Sequence, residues 1–147
     1  GLTETEAARR LAEYGPNLII DRDYDASLPD FLGDKEQMIQ VVMNIVRNAA
    51  QALDGAGRIV LRTRIARQIT IGQRRHRLAL DLHVIDHGPG IPESIRDRIF
   101  FPLVTGREGG SGLGLSLAQS FVQQHGGVIE CESRPGRTEF RILLPLV

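Results

Sequence analysis

The chain has 147 residues, 41% of them hydrophobic and 24% charged, and its 18 Lys+Arg balance 18 Asp+Glu. That length suits one domain with one core, and the neutral balance excludes bulk attraction to nucleic acid or to an anionic membrane. The single cysteine, Cys131, excludes an internal disulfide, and no apolar run approaches the roughly 20 residues of a membrane span, so a soluble, cytoplasmic chain is expected.

Residues 3–14 are predicted to form a helix, with Thr3 and Glu6 at capping-box spacing, Gly15 as its stop and Pro16 beyond. The opening GLTETEAARRLAEYGPN resembles the first segment of P-type cation pumps, but no pump phosphorylation motif follows. Gly1-Leu2-Thr3-Glu4 also lacks the basic-then-apolar order of a signal peptide. Residues 1–16 are therefore read as a leading helix or linker, and 17–147 as one domain.

A strand follows over 18–24, and a second helix opens at Asp34, with Gln37 at capping distance. At about 100° per residue, Met38, Val42, Ile45, Val46, Ala49 and Leu53 cluster on one face of that helix. Gln37, Gln40, Asn44, Arg47, Asn48 and Gln51 line the other face, giving an amide-rich stripe with few charges. Gly55-Ala56-Gly57 ends the helix, and strands over 58–65 and 78–85 flank a polar hairpin in which Arg74, Arg75 and Arg77 read as a solvated end. A short helix over 92–100, a glycine-rich loop over 101–111, a helix over 113–125 stopped by Gly126-Gly127, and strands over 128–133 and 138–144 complete the chain. Helices and strands mix, but strands come mainly in adjacent pairs, which predicts an α+β two-layer α/β sandwich rather than a doubly wound parallel sheet.

Three motifs carry chemistry. Asn44 and Asn48, four apart, project the same way, and an amide oxygen is a suitable hard ligand for a phosphate-bound Mg²⁺; two solvated asparagines on a helix are the alternative. Asp86, before His87-Gly88-Pro89-Gly90-Ile91, can accept from the exocyclic amine of an adenine while Gly88 and Gly90 let the backbone approach; a turn-capping aspartate is equally consistent with the residues alone. Gly110-Ser111-Gly112-Leu113-Gly114 leads into a helix, so free N–H groups would face an anion, with Arg107 placed to pair with a terminal phosphate. Gly106, Gly109 and Gly110 would let that loop close as a lid, and Ile91 and Leu113 could sandwich the base.

Taken together the set resembles the ATP-binding catalytic domain of sensor histidine kinases, within the superfamily that also holds gyrase-type ATPases. The resemblance spans about residues 21–145: the run from Gln40 to Ala49 is similar to the N box, Asp86-x-Gly88-x-Gly90 to the first glycine box, and Phe100-Phe101-Pro102 to the F box. The run from Gly110 to Leu115 is similar to the second glycine box, and Gly136-Arg137-Thr138 to the closing Gly-x-Gly-Thr. Ile45 to Leu53 and Gly106 to Gly110 look most like NtrB-type nitrogen-regulation kinases. His87 stands where the family usually has Asn, Gln51 where many members have Lys, and Leu103 where many have Phe.

This resemblance implies a Bergerat-type ATP-binding fold, whose mixed, mainly antiparallel sheet carries its helices on one face. It implies ATP and Mg²⁺ as cofactors, with Asn48 on the metal, Asp86 reading adenine, Thr138 supporting it through water, and residues 101–111 as the ATP lid. The implied catalytic residues are Asn44, Asn48 and Arg107. The ATP site adds Arg47, Asp86, Gly88, Gly90, Ile91, Thr105, Gly110, Ser111, Gly112, Leu113, Gly114 and Thr138. Hydrolysing members typically carry Glu at the position of Asn44, and an amide cannot take a proton from water, so phosphoryl transfer is favoured over hydrolysis.

No histidine acceptor motif surrounds His76, His83, His87 or His125, so the acceptor is expected on a separate dimerisation domain of the same kinase, this piece being monomeric. A response regulator and a regulatory nitrogen-signal protein are the further implied partners, with no nucleic acid and no membrane. The alternative reading is a nucleotide-gated interaction module that transfers no phosphoryl group.

Overall fold

The computed structural model describes residues 18–29, 31, 33–54, 56–101 and 114–146. The helix expected over 3–14 and the glycine-rich loop beyond Phe101, with Thr105, Arg107, Gly110, Ser111, Gly112 and Leu113, lie outside the described residues.

Five strands, β1 (Leu18–Asp23), β2 (Gly57–Ile71), β3 (Arg74–Asp86), β4 (Val128–Arg134) and β5 (Arg137–Pro145), form one sheet in the order β1-β2-β3-β5-β4. Only β1 and β2 run parallel, and the helix α1 (Lys35–Ala52) makes the crossover a parallel pair requires. The second helix, α2 (Gly114–Gln124), packs beside α1. The α+β, mainly antiparallel reading holds.

Alternation along the strands sends Ile59 and Leu61 of β2, Leu80, Leu82 and Val84 of β3, and Phe140, Ile142 and Leu144 of β5 to the face the helices cover. Phe140 is fully buried there, edge-on to Phe100 with ring centroids 6.2 Å apart. The opposite face carries charge: Arg58 pairs with Asp21 at 2.7 Å, Arg62 and Arg64 with Asp23, and Arg141 with Asp81.

Asp34 caps α1, its Oδ1 accepting from the Gln37 N–H at 3.0 Å. His125, at the end of α2, donates from Nδ1 to the Phe121 carbonyl at 2.8 Å, and its Nε2 accepts from the Asp34 N–H at 3.0 Å. One imidazole thus joins the end of α2 to the start of α1. Burial on α1 is wider than the apolar stripe of the sequence: Val41, Met43 and Asn44 are also buried, because α2 covers that flank.

Two elements differ from expectation. The strands of the arginine-rich hairpin run on to a two-residue turn at Gly72-Gln73, since Ile65, Ile69 and Ile71 continue the alternation through a polar stretch. The helix expected over 92–100 is a series of turns with a single 3₁₀ turn at Arg96–Arg98, closed by bonds such as Arg98 N–H to Ile95 carbonyl at 2.8 Å. A segment this short cannot offset the cost of α-helix nucleation. Among the described residues no helix is long and apolar enough to cross a membrane.

Candidate nucleotide site

The site forms where β3 ends against β5. Asp86 is the last residue of β3, only 2% exposed, and stands opposite Thr138, itself buried on β5. The Asp86 Oδ1 accepts from the Gly88 N–H at 2.9 Å, and no cationic side chain bonds the carboxylate among the described residues. Burial pushes its carboxyl above the usual aspartate range, against the smaller opposing pulls of the Gly88 N–H and the His87 charge. The nearby Cys131 thiol, on β4, is pushed up to about 12, by burial first and then by the Asp86 charge, which disfavours its thiolate.

Two glycines let the loop after Asp86 lie where it does. A Cβ at Gly88 would stand 3.0 Å from Asp86 Oδ1 and 3.3 Å from the Ala52 carbonyl at the end of α1. Gly90 has φ +90°, and a Cβ there would stand 2.6 Å from the Arg134 carbonyl. The loop is thus wedged between α1 and β4. Ile91 follows, half-buried against the core, its N–H donating to Ser133 Oγ at 2.7 Å. Ser133 Oγ also lies 2.8 Å from Thr138 Oγ1. Sequence reading missed Ser133, whose role exists only through its register opposite Thr138 on the β4–β5 hairpin.

The amide stripe of α1 borders the same region, and its members differ. Asn44 is buried rather than solvated: its Oδ1 accepts from Gln40 at 2.8 Å and its amide donates to the Gly114 carbonyl at 3.0 Å, tying α1 to the first residue of α2. Both ends of that amide are occupied within the protein. Asn48, one turn on and half-buried, makes no side-chain hydrogen bond among the described residues, while Arg47 is exposed. The structure therefore brings Asp86, Gly88, Gly90, Ile91 and Thr138 to one end of the sheet, with Asn44, Asn48 and Gly114 along α1 and α2. His87 is exposed beside the loop. Among the described residues no cluster of three or more His, Cys, Asp or Glu is placed to hold a metal ion.

A buried carboxylate without a cation, under a glycine loop and beside an amide-bearing helix, on this mixed sheet, is a combination that family comparison also recognises. The model of the histidine kinase-, DNA gyrase B-, and HSP90-like ATPases matches residues 33–147, and the chain belongs to that family of ATP-binding domains. Its relatives within that family include sensor kinases named NtrB. The chain is 52% identical over 135 residues to the sensory histidine kinase/phosphatase NtrB of Escherichia coli O157:H7, covering 91% of this chain and 39% of that protein. It is 48% identical over 156 residues to the NtrB of Salmonella typhimurium, covering 99% and 45%. The chain spans less than half the length of these relatives.

A mycobacterial sensor histidine kinase, MprB, superposes with a TM-score of 0.77 at 26% identity, over 97% of this chain and 92% of that one. The catalytic domain of the histidine kinase ThkA, free of nucleotide, gives 0.75 at 25%, over 97% and 86%. A second family model, the N-terminus of cation transporter ATPases, matches residues 1–33, fewer than a quarter of the chain. The alignment to the Salmonella relative takes in nearly all of that segment, so no pump is needed to account for it.

Proposed function

We propose that this chain binds Mg²⁺-ATP and donates the γ-phosphoryl group to a histidine on a separate dimerisation domain of the same cytoplasmic kinase, in nitrogen regulation. The phosphoryl group then passes to a response-regulator aspartate, and a regulatory nitrogen-signal protein acts on the kinase. Residues 1–16 serve as a leading helix or linker, and 17–147 act as a monomeric ATP-binding unit. The observation that carries the reading is the Asp86 carboxylate, buried opposite Thr138, edged by Gly88 and Gly90, and bonded by one backbone N–H but no cationic side chain among the described residues. Similarity to the NtrB relatives supports the nitrogen-regulation assignment.

Asp86 accepts from the exocyclic amine of adenine, a donor that compensates the charge burial leaves exposed to a low dielectric. Gly88 and Gly90 keep the loop backbone close, and Ile91 supplies an apolar edge. Asn48, free of side-chain partners among the described residues, offers a neutral oxygen that fits Mg²⁺, an ion that takes most of its negative ligands from phosphates. When bound, the metal would neutralise charge on the phosphates. Arg47, Thr105, Arg107, Gly110, Ser111, Gly112, Leu113 and Gly114 complete the phosphate end, with Arg107 on the terminal phosphate. The acceptor imidazole attacks the γ-phosphorus as the bond to the β-bridging oxygen breaks, so this domain contributes positioning and charge neutralisation. Asn44 supplies no base: its amide is committed to Gln40 and Gly114, and hydrolysis without an acceptor is expected to be slow.

The test is calorimetric titration with a non-hydrolysable ATP analogue, with and without Mg²⁺, followed by ATP plus a dimerisation-domain fragment bearing its histidine. Magnesium-dependent binding and phosphohistidine on the fragment are expected. Binding without any phosphohistidine would contradict the transfer assignment and leave an interaction module.

A further inference from the structure

We propose that Ser133 is a positioning residue of the base pocket, whose hydroxyl fixes the direction in which Thr138 donates and so contributes to the choice of base. The inference rests on the reading of Asp86 and Thr138 as the base-recognition pair. Ser133, Thr138 and Asp86 form one row across β4, β5 and β3, each opposite the next in register. The glycine loop closes on the same row from above: Ile91 donates its N–H to Ser133 Oγ at 2.7 Å, and Gly90 packs against the Arg134 carbonyl where no Cβ would fit.

A serine hydroxyl has one proton and two acceptor sites. The Ile91 N–H can only donate, so it takes one acceptor site, and Thr138 Oγ1 at 2.8 Å is the other partner. Either hydroxyl could supply the proton between them, and the neighbourhood decides. Thr138 stands beside the Asp86 carboxylate, whose negative charge draws the hydroxyl proton to the pocket side, with no hydrogen bond between the two; Ser133, beneath Gly90, makes no other hydrogen bond among the described residues. Ser133 therefore donates to Thr138, and the Thr138 proton faces the pocket. The relay runs from Ile91 N–H through Ser133 to Thr138, and the pocket presents an acceptor at Asp86 beside a donor at Thr138. With one water accepting from Thr138 and donating to the ring nitrogen, that order matches the amine and ring nitrogen of adenine and opposes the carbonyl and ring N–H of guanine.

Titrations of non-hydrolysable ATP and GTP analogues with Mg²⁺ into the wild-type chain, Ser133→Ala and Ser133→Thr test the relay. One lost hydrogen bond predicts that Ser133→Ala weakens adenine-nucleotide binding about tenfold, with a comparable narrowing of the adenine-to-guanine ratio. Ser133→Thr, which keeps the hydroxyl, is expected to retain both. Partial unfolding of a variant lowers the bound stoichiometry but not the ratio of the two affinities, so the ratio reports on the pocket itself. A wild-type ratio in Ser133→Ala, or a lost ratio in folded Ser133→Thr, overturns the proposal while leaving the ATP site intact. Absence of adenine-nucleotide binding by the wild-type chain overturns both the site and the relay.

Discussion

Asp81 and Asp86 sit five residues apart on one strand, on its opposite faces, and both are buried. At Asp81 burial would raise the carboxyl, but Arg141, held by two bonds of 2.9 Å, and His83 at 3.0 Å outweigh it and hold the group below the usual range. At Asp86 burial prevails, because one backbone N–H is the main compensation. A buried carboxylate that is fully answered within the protein serves the fold. One left unanswered keeps its charge available for a ligand.

Asp86→Asn is expected to weaken binding of a non-hydrolysable ATP analogue on the order of 100-fold, the worth of a charge-assisted bond, while raising the thermal midpoint at neutral pH. A lower midpoint would mean that the carboxylate is compensated after all. Gly90→Ala comes next: with φ +90° and the Arg134 carbonyl in the way, urea unfolding should record a loss of about 2–3 kcal/mol. Gly72→Ala, at φ +62° in open space, should cost only about 1 kcal/mol. Asp81→Asn should cost about 2 kcal/mol by the same measurement, less than a fully buried pair because Arg141 is partly exposed, and leave nucleotide affinity unchanged within about twofold.

Acid sharpens the contrast further. Asp81 and Glu139 have lowered folded pKa values, Glu139 through His83 and Arg137 acting against burial. Their contribution is present above the unfolded carboxylate value and is lost as pH falls through the lower folded one. Asp86 has the opposite sign. The stability advantage of Asp86→Asn should be full above the raised folded pKa, shrink as pH falls from there, and vanish below the unfolded value. Urea midpoints of the wild type and the two variants across this acid range check both signs.

Much of the candidate site was legible because its residues lie on periodic elements. The alternation of β5 and the amide stripe of α1 placed Thr138, Asn44 and Asn48 correctly on their elements, and Asp86 stood at the end of an apolar strand. The bond between Asn44 and Gly114 was not legible, since it joins residues 70 apart through helix packing. Ser133 escaped for a related reason: a serine in a strand has no signature until the hairpin register sets it opposite Thr138. The pairing of Asp81 with Arg141 likewise depends on two strands 60 residues apart. What sequence periodicity cannot express is which polar groups find partners across elements, and that distinction separates the paired Asp81 from Asp86, the carboxylate proposed to bind the nucleotide.

Carbon-detected NMR titration of the aspartate side-chain carboxyls, with and without a saturating non-hydrolysable adenine nucleotide, tests that distinction most directly. Asp86 is expected to titrate above the ordinary aspartate range and Asp81 below it, with nucleotide moving Asp86 down and leaving Asp81 in place. An Asp86 titrating at or below Asp81, or unmoved by bound nucleotide, would contradict the distinction.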